Sequence, residues 1–166
     1  MTRPRVDRAE QTISASADAV FDALTDATAV ATWMPPGNAR GEMHEFEPRP
    51  GGPFRMTLHF QEETAPKGKS TETSDTVDAK FVQLERGRLV EFAVRFVSDD
   101  PAFSGTMTMI WTLRAGGPGR TQVSVEARNV PRGVSAKDHA NGLSQTLNNL
   151  SRWCTGSPAD WHQHTI

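Results

Sequence analysis

The chain carries 5 histidines, the side chain whose ordinary titration lies nearest neutral pH, and their settings differ. His139 lies four residues before Leu143, on the border of an apolar stripe with helical spacing. From there it could donate a hydrogen bond to a ligand or serve as a general base. The simpler reading is a structural histidine whose ring hydrogen bonds are met inside the fold. Asp138, its neighbour in sequence, projects from another side of the helix and cannot orient the imidazole as the acid of a triad does. His59 falls on the outward positions of its strand, and His44 stands among Glu42 and Glu45; both are expected to be solvated. His162-x-His164 offers two ligands in a polar tail, with no cysteine or third histidine nearby, so no metal site is expected.

Other reactive groups are few. Cys154 is the sole cysteine, which excludes an internal disulfide and a cysteine-based metal site. It falls on the same apolar stripe as Leu143 and reads as a small buried hydrophobe, with Arg152 giving only weak support for a reactive thiolate. Gly116-Gly117-Pro118-Gly119 lacks the lysine and following helix of a phosphate loop and fits a hairpin turn. A Gly-x-Ser-x-Gly elbow is missing from the sequence, which argues against a serine hydrolase of that type. Asn149-Leu150-Ser151 matches a glycosylation sequon but lies inside a helical pattern and reads as a chance match. Arg95 and Arg128 fall on outward positions, so neither is assigned as an anion clamp.

The elements that must position these residues follow from periodicity. Residues 5–13 alternate like a largely polar edge strand, with Val6, Arg8, Glu10 and Thr12 opposing Asp7, Ala9, Gln11 and Ile13. Ser16 is a plausible N-cap, with Asp18 in the first turn and Val20, Phe21 and Leu24 on one face. Asp26 caps a second short helix through about Trp33, which Pro35-Pro36 must stop. Strands are predicted over Gly41–Phe46 and Pro53–Gln61. The polar stretch 62–75 is the longest candidate for a mobile loop. Alternation resumes at Val77, Ala79 and Phe81, at Val90 to Phe96, at Thr106 to Arg114 and at Thr121 to Arg128. Ser135 caps a helix to about Cys154, where Ala136, Ala140, Leu143, Leu147, Leu150 and Cys154 form the apolar stripe. Some 20 residues long, or roughly 30 Å, that helix can span a concave sheet.

Bulk properties narrow the class. At 166 residues the chain suits one domain, with a core over about 5–154 and a tail over 155–166. It could bury roughly 70% of its unfolded surface. With 18 basic and 20 acidic residues the net charge is −2, and no basic face predicts nucleic-acid binding. The N-terminus lacks a signal-like apolar segment and no run is long enough to span a membrane, so a cytoplasmic location is expected.

Ile13-x-Ala15, Val20-Phe21-Asp22-Ala23-Leu24-Thr25-Asp26, Trp33-x-Pro35 and Gly51-Gly52-x-Phe54-Arg55 together resemble the START-like (helix-grip, SRPBCC) superfamily. Within it, the sequence is most similar to homologues of the heat-shock-protein-90 ATPase activator's C-terminal domain. Val77 to Leu84, Gly105 to Met109, and Asp138-His139 with Gly142 and Leu147 extend the likeness over about residues 8–153. The resemblance implies an α+β fold: a curved antiparallel sheet wrapped around a long C-terminal helix, with two short helices after the first strand. Many relatives carry Gly-Trp in the last helix where this chain has Gly142-Leu143, which changes the shape of any cavity.

The resemblance implies a binding or carrier protein that holds a hydrophobic or aromatic small molecule between sheet and helix, without a cofactor. The expected lining is Trp33, Phe54, Met56, Leu58, Phe81 and Phe92, then Val94, Met109, Trp111, His139, Leu143 and Leu147. Simple core packing is expected at many of these positions. Ala136, Ala140 and Gly142 would leave room on the helix. A second expectation is a cyclase- or lyase-type enzyme with His139 as acid–base. A co-chaperone that stimulates a chaperone ATPase ranks third, because the eukaryotic activator has a further N-terminal domain and only a few residues precede the domain here. A homodimer through edge strands is compatible with the pattern but not selected by it.

Overall fold

A computed structural model describes residues 5–36, 39–60 and 74–156. Strand β1 (Val6–Ile13) leads to helices α1 (Ala17–Leu24) and α2 (Ala27–Trp33). A meander follows: β2 (Arg40–Phe46), β3 (Pro53–His59), β4 (Ser74–Glu85), β5 (Leu89–Phe96), β6 (Met107–Ala115) and β7 (Thr121–Arg128). A single 3₁₀ turn at Pro101–Phe103 precedes β6, and α3 (Ala136–Thr155) closes the fold. The sheet order is β1-β7-β6-β5-β4-β3-β2, each pair antiparallel. Thus β1 leaves the chain order and pairs with the last strand, Val6 opposite Arg128 and Ile13 opposite Thr121. Among the described residues, no helix is long and apolar enough to cross a membrane.

The helix starts follow the sequence. Ser16, Asp26 and Ser135 each accept a backbone N–H from the first turn of α1, α2 and α3, at Ala19, Ala29 and Asp138. Pro35 and Pro36 end α2, so the carbonyls of Met34 and Pro35 just beyond it have no helical partners. Two buried polar side chains of α3 meet them: Thr146 Oγ1 donates to Met34 O at 2.9 Å, and Asn149 Nδ2 donates to Pro35 O at 3.2 Å. Asn149 is therefore engaged in packing, in keeping with the sequon being a chance match. On the far side of α2, Gly41 lets β2 approach closely, since a Cβ there would stand 2.5 Å from Ala31 O.

The inner face of the sheet is mostly apolar, with Asp7, Asp75 and Thr121 as polar exceptions. Alternation puts Phe54 and Met56, Phe92 and Val94, Met109 and Trp111, and Val123 and Val125 inward and buried. A register shift between Phe81 and Gln83 turns Val82 out to 46% exposure and restores Leu84 to the inner side. The N-terminal half of α3 departs from the expected stripe: Ala136 and Ala140 are exposed, and the buried side runs through Leu143, Thr146, Leu147, Asn149 and Leu150. The first turns of α3 meet the sheet at β1, where His139 reaches Asp7, while Ala136 and Ala140 face solvent. Of the expected loop over 62–75, residues 62–73 lie outside the described residues, while Ser74 and Asp75 already belong to β4.

Candidate functional site

A partly open cavity of about 350 Å³ lies between α3 and the inner faces of β3, β4, β5 and β6. Phe54, Met56 and Leu58 of β3, Phe92 and Val94 of β5, and Met109 and Trp111 of β6 form its floor. His139 and Leu143 line it from α3, with Gly142 between them. Exposed Gly133, Ser135 and Asp138 border its mouth.

Trp33, Phe81 and Leu147, expected in the lining, do not reach the cavity. Trp33 is fully buried behind Trp111, its Nε1 donating to Ala23 O at 2.9 Å. Phe81 lies in a cluster with Phe46, Phe54 and Phe92, ring centroids 5.3 to 6.1 Å from its own. Leu147 sits two turns further along α3 than His139, where the helix has met the core. Each is buried in the core and lies outside the cavity lining. Met34, Phe96, Phe103 and Val134 also line the cavity. Three of these sit in irregular connections, where periodicity carries no signal.

One ionisable pair is built into this otherwise apolar wall. His139 Nδ1 lies 2.7 Å from Asp7 Oδ2, with side-chain exposures of 16% and 11%. Arg5 holds the other side of Asp7, Nε to Oδ1 at 3.3 Å and Nη2 to Oδ2 at 3.0 Å, and its Nη1 donates to Val134 O at 2.5 Å. Burial pushes the Asp7 carboxyl up, but the hydrogen bonds and charges of Arg5 and His139 outweigh it, and its pKa falls below the ordinary value. Asp138 is exposed at the rim and is not the partner of the ring. The acid that orients His139 comes instead from β1, 132 positions away. The one available signal was a charged residue sharing the inner side of an edge strand with Ala9 and Ile13.

The remaining candidates sit elsewhere. His44 is exposed with Nε2 2.8 Å from Thr57 Oγ1, and His59 pairs with Glu42 at 2.8 Å on the outer face. Arg95 is exposed, and Arg128 pairs with Glu126. Cys154 is half-buried, and burial pushes its thiol up to about 11. His162 and His164 lie outside the described residues, among which no group of at least 3 His, Cys, Asp or Glu could hold a metal ion. Trp111 Nε1 is buried with no hydrogen-bond partner among the described residues.

The sequence matches the family described as activator of Hsp90 ATPase homolog 1-like protein over residues 14–154. A crystal structure of a Chromobacterium violaceum protein is similar at 22% identity and a TM-score of 0.79, covering 92% of this chain and 98% of that one. The AHSA1 protein of Silicibacter pomeroyi is similar at 15% identity and a TM-score of 0.71, covering 89% and 95%. DynU16, of the dynemicin biosynthetic locus, is similar at 22% identity and 0.64, covering 93% of this chain and 49% of that one. These identities carry the fold alone. No curated protein matches the sequence.

Proposed function

The chain belongs to the activator of Hsp90 ATPase homolog 1-like family, and within that fold we propose that it binds or carries a hydrophobic, aromatic-sized small molecule in the cavity beneath α3. One observation carries this reading. A well-packed core keeps few voids larger than a water molecule, yet about 350 Å³ stands open inside an apolar wall of Phe, Met, Val and Trp side chains. That volume is within the roughly 300–1,000 Å³ of small-molecule sites. An aromatic group burying about 150–250 Å² there would gain roughly 4–6 kcal/mol before association costs. Met56 and Met109 can adjust to the ligand's outline because the unbranched thioether side chain is flexible.

The test is titration with the environment-sensitive dye anilinonaphthalene sulfonate, followed by dye fluorescence and by native mass spectrometry. Saturable one-to-one binding in the micromolar range is expected, displaced by compact aromatic hydrocarbons. Emission that rises without saturation, with no complex surviving in the gas phase, would remove the reading.

A further inference from the structure

One short irregular segment stands between the cavity and solvent. Of the described residues that line the cavity, only Gly133, Ser135 and Asp138 are exposed. The described opening therefore runs past the connection between β7 and α3. That connection starts at Asn129, whose φ of 58° lies in the left-handed region that residues other than glycine seldom adopt. It ends at Ser135, the N-cap of α3. Between the two, the buried side chain of Val134 forms cavity wall.

The segment is pinned from both sides. On one side is the 3₁₀ turn before β6, where Gly133 N donates to Ala102 O at 2.8 Å. Asn129 Nδ2 donates to Thr106 O nearby, also at 2.8 Å. Gly133 leaves no room for a side chain there, since a Cβ would stand 2.8 Å from Phe103 Cε1 and 2.9 Å from Ala102 O. On the other side is Arg5. Its Nη1 donates to Val134 O, and its own carbonyl accepts from Val130 N at 3.2 Å. Asp7 fixes the guanidinium through both carboxylate oxygens and also meets His139 in the first turn of α3.

Arg5 lies just outside the ladder of β1 with β7, which runs from Val6 opposite Arg128 to Ile13 opposite Thr121. What its side chain adds therefore goes to the rim of the cavity. That side chain is 31% exposed, so water competes for its hydrogen bonds. A stretch held by a few solvent-reachable polar contacts, beginning at a residue in a rare backbone conformation, opens locally before the core does.

We propose that the segment from Asn129 to Ser135 is the door of the cavity, and that Arg5 is the clasp that holds it shut over an apolar occupant. This rests on the cavity being a ligand site, and adds a route of entry and a control on its rate. The door closes whether or not the cavity is filled. The clasp therefore sets how fast a ligand exchanges and leaves the affinity almost untouched, because entry and exit wait on the same opening.

The test is stopped-flow binding of N-phenylnaphthylamine, the uncharged parent of the sulfonate dye, so that losing the arginine charge does not alter steering. In the wild type the observed rate should level off at high dye concentration, where opening limits entry. Arg5→Ala and Gly133→Ala loosen the segment from opposite sides. Each should raise the plateau and the dissociation rate at least about fivefold, with Kd kept within about twofold. Arg86→Ala serves as the control: it removes ion pairs to Asp18 and Asp22 of α1, outside the cavity lining, and should leave both rates unchanged. Circular dichroism reports that the variants remain folded. Should Gly133→Ala fail to fold, Arg5→Ala alone decides.

Unchanged rates in Arg5→Ala would overturn the inference, as would a wild-type rate that climbs without a plateau. An equal acceleration in Arg86→Ala would overturn it too, by marking a general loosening of the fold. So would a weakened Kd at unchanged entry rate, which would give Arg5 a part in shaping the cavity instead. Failure of the dye to bind the wild type at all is a separate outcome, which takes down the ligand reading and this inference with it.

Discussion

Trp33 and Trp111 meet edge to face, their ring centroids 5.4 Å apart and their planes at 79°, yet their indole nitrogens have opposite fates. Trp33 Nε1 donates to Ala23 O, a carbonyl at the end of α1, while buried Trp111 Nε1 has no partner among the described residues. Removing one partner of a buried hydrogen bond leaves the other unsatisfied, at a cost of about 1–3 kcal/mol. Trp33→Phe should therefore destabilise the protein by about 1–2 kcal/mol more than Trp111→Phe, whose loss strands no acceptor. Paired urea denaturation curves measure the difference; equal midpoints would contradict it.

Asp7 makes stability depend on acid. Its carboxyl titrates below the ordinary 3.8 in the folded chain, so the unfolded chain binds its proton first as pH falls. The contribution is complete above about that value and is lost as pH drops through the lower, folded one. Thermal melts of Asp7→Asn should accordingly lie below the wild type at neutral pH and converge with it in strong acid. A gap of constant size across that range would show that the carboxylate's charge is not what stabilises.

Gly142 faces the cavity from α3, and its nearest outside neighbour to an added Cβ is Pro36 Cβ at 4.0 Å. An alanine there should raise stability by roughly 0.5–1 kcal/mol, by stiffening the unfolded chain without a clash. Gly142→Phe should instead fill the cavity and weaken dye binding at least tenfold with the fold intact. Undiminished dye binding in that variant would place the dye elsewhere.

Cys154 has its thiol pushed up to about 11 by burial. Only a small fraction is thiolate in mildly alkaline buffer, and the thiolate is the reactive form. Alkylation by iodoacetamide at that pH should run at least about tenfold slower in the native protein than in urea. Equal rates would mean that the end of α3 opens readily.

The order of elements was legible because caps, prolines and alternation are local signals. Ser16, Asp26 and Ser135 start helices where sequence places them, and Pro35-Pro36 stops α2. What escaped was set by distance along the chain. Thr146 and Asn149 interrupt the apolar pattern of α3 because they answer carbonyls that the prolines orphaned more than a hundred positions earlier. Ala136 and Ala140 look apolar in sequence but face solvent. Asp7 shows no relation to His139 until β1 folds back beside β7. Depth below the cavity floor, which separates Trp33 from Trp111, is a property of packing between elements and leaves no trace in the period of any one of them.

The pairing of the first strand with the last also sets a timetable for synthesis. β1 leaves the ribosome early, but neither its ladder partner β7 nor His139 has yet been made. With Asp7 and His139 132 positions apart, at about 5–20 residues per second that interval is on the order of ten seconds. Throughout it, Val6–Ile13 is a strand-forming segment with no edge to join. Its outward row of Arg8, Glu10 and Thr12 gives it a polar face during the wait, which discourages pairing with a neighbouring nascent chain.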